Sequence, residues 1–108
     1  MAKQSHLNQT IKAYLKLVAE KYKIDKAILF GSHARGTATR HSDIDLAIFS
    51  PTVKNELQAF NALSDLIRLT RTFKVAIDPM LFPTRFYKHF EKGDFVHEIR
   101  RSGKAIRI

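Results

Sequence analysis

The chain has 108 residues, enough for one domain with its own core and too few for two. At 44% hydrophobic and 27% charged it has the composition of a folded domain, which excludes a disordered, collagenous or repetitive chain. It has no cysteine, hence no disulfide scaffold, thiolate metal site or cysteine nucleophile. Lys and Arg total 19 against 10 Asp and Glu, a formal charge of +9. These cations are spread from Lys3 to Arg107 without a block of like charge, which reads as a solvated surface and makes nucleic acid an unfavoured partner. The apolar runs are too short to span a bilayer, and the N-terminus lacks the apolar core of a secretion signal. The expectation is a cytoplasmic protein with no membrane partner.

In chain order, Leu7, Ile11, Tyr14, Leu15, Val18 and Tyr22 fall on one face at helical spacing and predict an N-terminal helix within residues 1–24. Ala27–Phe30 is a short apolar run stopped by Gly31, the pattern of a buried strand. A polar stretch from Gly31 to Ser42 precedes a second strand, Asp43–Phe49, closed by Ser50-Pro51. Residues 54–69 predict a helix burying Leu57, Phe60, Leu63, Leu66 and Ile67. Phe73–Asp78 is a third strand, which Pro79 and Pro83 disfavour extending as an interior strand. Residues 84–102 predict two helical pieces broken at Gly93, with Gly103 as C-cap and 104–108 as a last short strand. This alternation predicts an α/β (α+β) domain, a small mixed sheet flanked by helices.

The chemistry concentrates between Phe30 and Leu46. Residues two apart on a strand share a face, so Asp43 and Asp45 project together while Ile44 and Leu46 turn inward. Paired carboxylates repel one another, and a hard cation such as Mg2+ relieves that repulsion while keeping positions for substrate phosphates. Gly31 at the end of an apolar strand permits a sharp turn and close approach of a ligand, and Ser32 with the neighbouring N–H groups can hold phosphate oxygens. Taken singly, an Asp-x-Asp triplet or a glycine turn is an ordinary structural feature. The combination, at this spacing, is not.

Phe30-Gly31-Ser32-His33-Ala34-Arg35-Gly36, then Ser42-Asp43-Ile44-Asp45-Leu46, resembles the signature of the polymerase-beta nucleotidyltransferase superfamily, in particular its minimal nucleotidyltransferases. The order of elements over residues 26–78 resembles the family's catalytic core, and residues 96–106, within a closing helix and strand at 84–108, resemble its closing segment. The resemblance implies a single minimal nucleotidyltransferase domain over 1–108, with Asp43, Asp45 and Asp78 as catalytic and metal-binding carboxylates. It also implies Gly31, Ser32 and Arg35 at the nucleotide, one or two Mg2+ ions, and ATP as substrate. Asp78 serves only if its strand lies beside that of Asp43 and Asp45. Arg35 either contacts phosphate or anchors the turn through the carboxylates.

Stand-alone minimal nucleotidyltransferases commonly pair with HEPN toxins, which they can neutralise by transferring AMP to a tyrosine. The resemblance therefore implies an antitoxin that modifies a HEPN partner. Two other readings stand beside it: a binding module that inhibits by occlusion, and nucleotidyl transfer to a small molecule such as an aminoglycoside. His33, Arg40 and His41 read as solvated, Asp25 as a turn residue and Asp65 as a surface residue. No histidine pair has zinc-ligand spacing, so no zinc is expected. Phe82, Phe86, Tyr87 and Phe90 read as aromatics that cover the sheet, with a partner contact as the alternative.

Overall fold

The structure, a computed structural model, describes residues 2–39, 41–89 and 94–107. Its elements are α1 (Ala2–Ala19), β1 (Lys26–Phe30), the one-turn α2 (Ser32–Arg35), β2 (Ile44–Ser50) and α3 (Glu56–Leu69). After a 3-10 turn at Thr70–Thr72 come β3 (Ile77–Pro83), α4 (Arg85–Lys88), α5 (Phe95–Ser102) and β4 (Lys104–Ala105). The strands lie in the order β3-β2-β1-β4, with β2 and β3 parallel and the other pairs antiparallel. The expected mixed sheet with flanking helices is thus present. Among the described residues no helix is long and apolar enough to cross a membrane.

Strand alternation sends one set of side chains to each face. On the first face, Ala27, Leu29, Ile44, Leu46, Ile48, Ile77 and Leu81 are buried under α1 and α3. The α1 stripe predicted from spacing is the one that packs: Ile11, Tyr14, Leu15 and Val18 are buried, with Leu7 and Tyr22 half-buried at its ends. The Tyr14 hydroxyl donates to the Leu66 carbonyl at 2.8 Å, tying α1 to α3, and burial pushes its phenol well above the ordinary tyrosine value. The Asn55 side chain caps α3 by accepting the Gln58 N–H at 2.8 Å. On the second face, Val96 and Ile99 of α5 cover Ile28, Ala47 and Phe49. Phe82, Phe86 and Tyr87 pack against this smaller cluster, so these aromatics cover the sheet; Phe90 lies outside the described residues.

Three expectations are corrected. The helix forms at 56–69, but it buries Ala59, Ala62 and Leu66, leaving Leu57, Phe60 and Ile67 exposed at 69%, 73% and 47%. This helix carries two apolar stripes, and the one with two alanines lets its backbone approach the sheet most closely. The third strand runs over 77–83 rather than 73–78, past the expected boundary of the core at 78. The prolines are tolerated because β3 is an edge strand. The Ile44 N–H bonds the Ala76 carbonyl at 2.8 Å, a register that turns the N–H groups of Asp78, Met80 and Phe82 toward β2. Pro79 and Pro83 therefore fall where an N–H would point away from the sheet. Finally, the last strand contains only Lys104–Ala105. Two helical pieces do form in the C-terminal segment, while the expected break at Gly93 lies outside the described residues.

Candidate active site

The site lies where β1 ends and β2 and β3 begin. Phe30 closes β1, and the chain turns at Gly31 with φ 74° and ψ −153°. A Cβ at Gly31 would overlap the Asp45 carboxylate, so glycine is required both by the backbone angle and by the close approach. The Gly31 carbonyl accepts the N–H groups of Ala34 and Arg35, each at 3.1 Å, which winds the single turn of α2. Gly36 ends it in the left-handed conformation (φ 76°), its N–H bonded to the Ser32 carbonyl. Ala34 is buried beneath the turn, Ser32 is half-buried and Arg35 is exposed.

The carboxylates arrive from two strands. Asp45 stands opposite Phe30 of β1 and, on its other side, opposite Asp78 of β3. The strand pairing that Asp78 needed is therefore present, and these two carboxylates share one sheet face about 5 Å apart at the backbone. Asp43 is exposed and sits just ahead of β2. The loop before it is closed on itself: the Ser42 N–H donates to the Thr39 carbonyl at 3.1 Å, and the Thr39 N–H to the Ser42 hydroxyl at 2.9 Å. Arg40 lies outside the described residues.

These groups also act on one another electrostatically. Asp45 is held above the ordinary carboxylate value, first by burial, then by the negative charges of Asp78 and Asp43. His33 and Arg35 act in the opposite direction. Five ionisable groups thus share one locality, although no three described His, Asp or Glu side chains stand ready as a metal-ion cluster. His33 corrects its reading as a solvated side chain: it is half-buried, with Nε2 3.4 Å from the Ser42 carbonyl. As the second residue of α2 it faces back toward the start of β2, a placement no residue pattern announces. His41 and Asp25 are exposed as expected, the Asp25 N–H bonded to the Phe49 carbonyl. Asp65 takes the Tyr22 hydroxyl at 2.7 Å and pairs with Arg68 at 3.3 Å, on α3 and away from the site.

The nucleotidyltransferase domain family matches residues 11–104, from the middle of α1 to the start of β4 and including every element of this site. The chain belongs to that family. This places the domain in the polymerase-beta nucleotidyltransferase superfamily, whose members take a nucleoside triphosphate. Among similar proteins, "Putative protein adenylyltransferase MJ0141" of Methanocaldococcus jannaschii is 29% identical over 86 residues, covering 80% of this chain and 82% of the relative. A second protein of that printed description from the same organism, MJ1305, is 31% identical over 83 residues, 73% of this chain and 56% of the relative. A third, MJ0126, is 34% identical over 68 residues, 60% and 69% respectively.

Proposed function

We propose that this nucleotidyltransferase domain transfers AMP from ATP to a hydroxyl of a separate protein. The acceptor we favour is a tyrosine of a HEPN toxin, which would make the domain an antitoxin. The observation that carries the reading is the in-register pairing of Asp45 with Asp78 beside the Gly31 turn. The partner class rests on the family resemblance and on the names of the similar proteins.

The donor set suits Mg2+, because all three side chains supply hard oxygens and a cation offsets both the burial and the repulsion that raise Asp45. Asp43, Asp45 and Asp78 would hold it, with phosphate oxygens and water completing the sphere. When bound, the ion neutralises charge on the phosphates and the departing pyrophosphate. The chain's own residues supply position. Gly31 leaves room for the Asp45 carboxylate, Ser32 offers a hydroxyl to phosphate oxygen, and Arg35 contributes positive charge at the exposed end of α2. The acceptor oxygen bonds to the α-phosphorus as the bond from that phosphorus to the bridging oxygen breaks. Pyrophosphate leaves with the bonding pair, and the acceptor proton passes to Asp78, exposed on the edge strand beside Asp45.

The test uses purified protein, labelled ATP, Mg2+ and the protein encoded beside it as acceptor, with Asp43→Ala/Asp45→Ala as control. Addition of AMP units to the acceptor, absent in the control, is the expected result. Tight binding by both versions without transfer would replace this reading with occlusion. Neither binding nor transfer would return the small-molecule acceptor to first place.

A further inference from the structure

The acid row ends in an aromatic ring. Phe30, opposite Asp45, stands on the same sheet face one strand over. Phe95, the first residue of α5, meets Phe30 edge-on, with centroids 5.7 Å apart and planes at 87°. It also reaches Phe82 of β3, at 6.4 Å and 45°. Ala47, the next residue of β2 on this face, is small and fully buried. Its neighbours on α5, Val96 and Ile99, are sunk into the second cluster, yet Phe95 remains 49% exposed. Among the described residues, the other exposed large apolar side chains, Leu57, Phe60 and Ile67, are all on α3 over the opposite face. An aromatic ring held by two others, half open to water and one strand over from carboxylates that a divalent cation would join to phosphates, is placed for a flat ligand that carries a phosphate chain. A nucleotide has both properties.

We propose that Phe95, backed by Phe30, is the platform on which the nucleobase of the nucleoside triphosphate stacks, with a purine preferred for its larger face. The inference rests on the reading above that the triphosphate sits at Asp43, Asp45 and Ser32. One strand spacing and one step along a strand, about 5 and 7 Å, separate Asp45 from the ring's surroundings, which leaves room for a ribose between phosphate and base. Stacking on an aromatic ring tolerates any base because every base has a π face, so the ring adds affinity without strict identity.

Titration calorimetry with ATP, CTP and inorganic tripolyphosphate, each with Mg2+, tests this. The wild-type chain is expected to bind ATP most tightly, and Phe95→Ala to weaken ATP on the order of tenfold while leaving tripolyphosphate unchanged. Because the chain has no tryptophan, Phe95→Trp supplies a single reporter whose emission should be quenched by ATP and not by tripolyphosphate. This variant keeps an aromatic ring in place, so it also answers for any loss of packing in Phe95→Ala. If ATP binds no more tightly than tripolyphosphate, or Phe95→Ala binds ATP as well as wild type, the base platform is wrong while the phosphate site stands. If the wild-type chain binds neither, both readings fail.

Discussion

The two faces of the sheet are built to different ends. Under α1 and α3 the side chains are almost all aliphatic and buried, with the Tyr14 hydroxyl on the Leu66 carbonyl as a buried polar tie and the Tyr22 hydroxyl on Asp65 at the margin. The other face begins with Asp78 and Asp45, passes to Phe30, and is covered by α5 only over its far half. The first face supplies stability. The second carries a standing electrostatic cost, since Asp45 is pushed toward its protonated form by burial and two like charges. Such a cluster is expected where function and stability conflict.

The largest test of that division is at Asp45. Asp45→Asn should lower AMP transfer roughly a thousandfold or more, the several kcal/mol that metal charge stabilisation supplies. In chelator it should nonetheless melt at a higher temperature than wild type near neutral pH. The folded state binds the Asp45 proton more tightly than the unfolded chain does. The Asp45 contribution to stability is therefore greatest at low pH and is lost as pH rises from the ordinary carboxylate value through the raised one. Asp65 and Glu98, held below the ordinary value, contribute with the opposite sign. The variant should take the Asp45 contribution out of the slope, read from melting curves across pH; an unchanged slope would remove Asp45 as its source.

Gly31→Ala joins both faces' logic, because it meets an unfavourable backbone angle and the Asp45 carboxylate at once. It should destabilise by about 1–3 kcal/mol and abolish transfer, measured by denaturant melts alongside the transfer assay. Leu66→Ala, on the aliphatic face, should cost about 2–5 kcal/mol of stability and leave nucleotide affinity intact in whatever fraction is folded. Phe60→Ser should change stability by no more than about 0.5 kcal/mol, since that ring is 73% exposed. A large loss there would mean that the outer face of α3 is covered in solution.

The contrast between faces also governs how much could be read from the residues alone. The Gly31 turn and the face of Asp45 are legible because turn chemistry and strand alternation act over a few positions, and the α1 stripe because it has a single apolar face; Asp43 lies just ahead of β2, outside that alternation. The packed face of α3 is not legible, because Leu57, Phe60 and Ile67 are as apolar as the face that packs, and only the sheet decides between them. The extent of β3 depends on its being an edge strand, a property of strand order rather than of Phe73–Pro83 themselves. The place of Asp78 beside Asp45 needed the family resemblance, because nothing local specifies a parallel register. Phe95 gains its position from strands distant in sequence, and His33 from the loop that ends at Ser42, so neither carries a signal in its own residue pattern.

The prolines of β3 have one more consequence. A seven-residue edge with a full set of outward donors would be a template on which another chain could zip. Pro79 and Pro83 remove two of those donors, so any strand added there begins with gaps in its ladder. The border beside the acid row is thereby a poor template for sheet growth, which favours side-chain grip over backbone stitching for anything that docks along it.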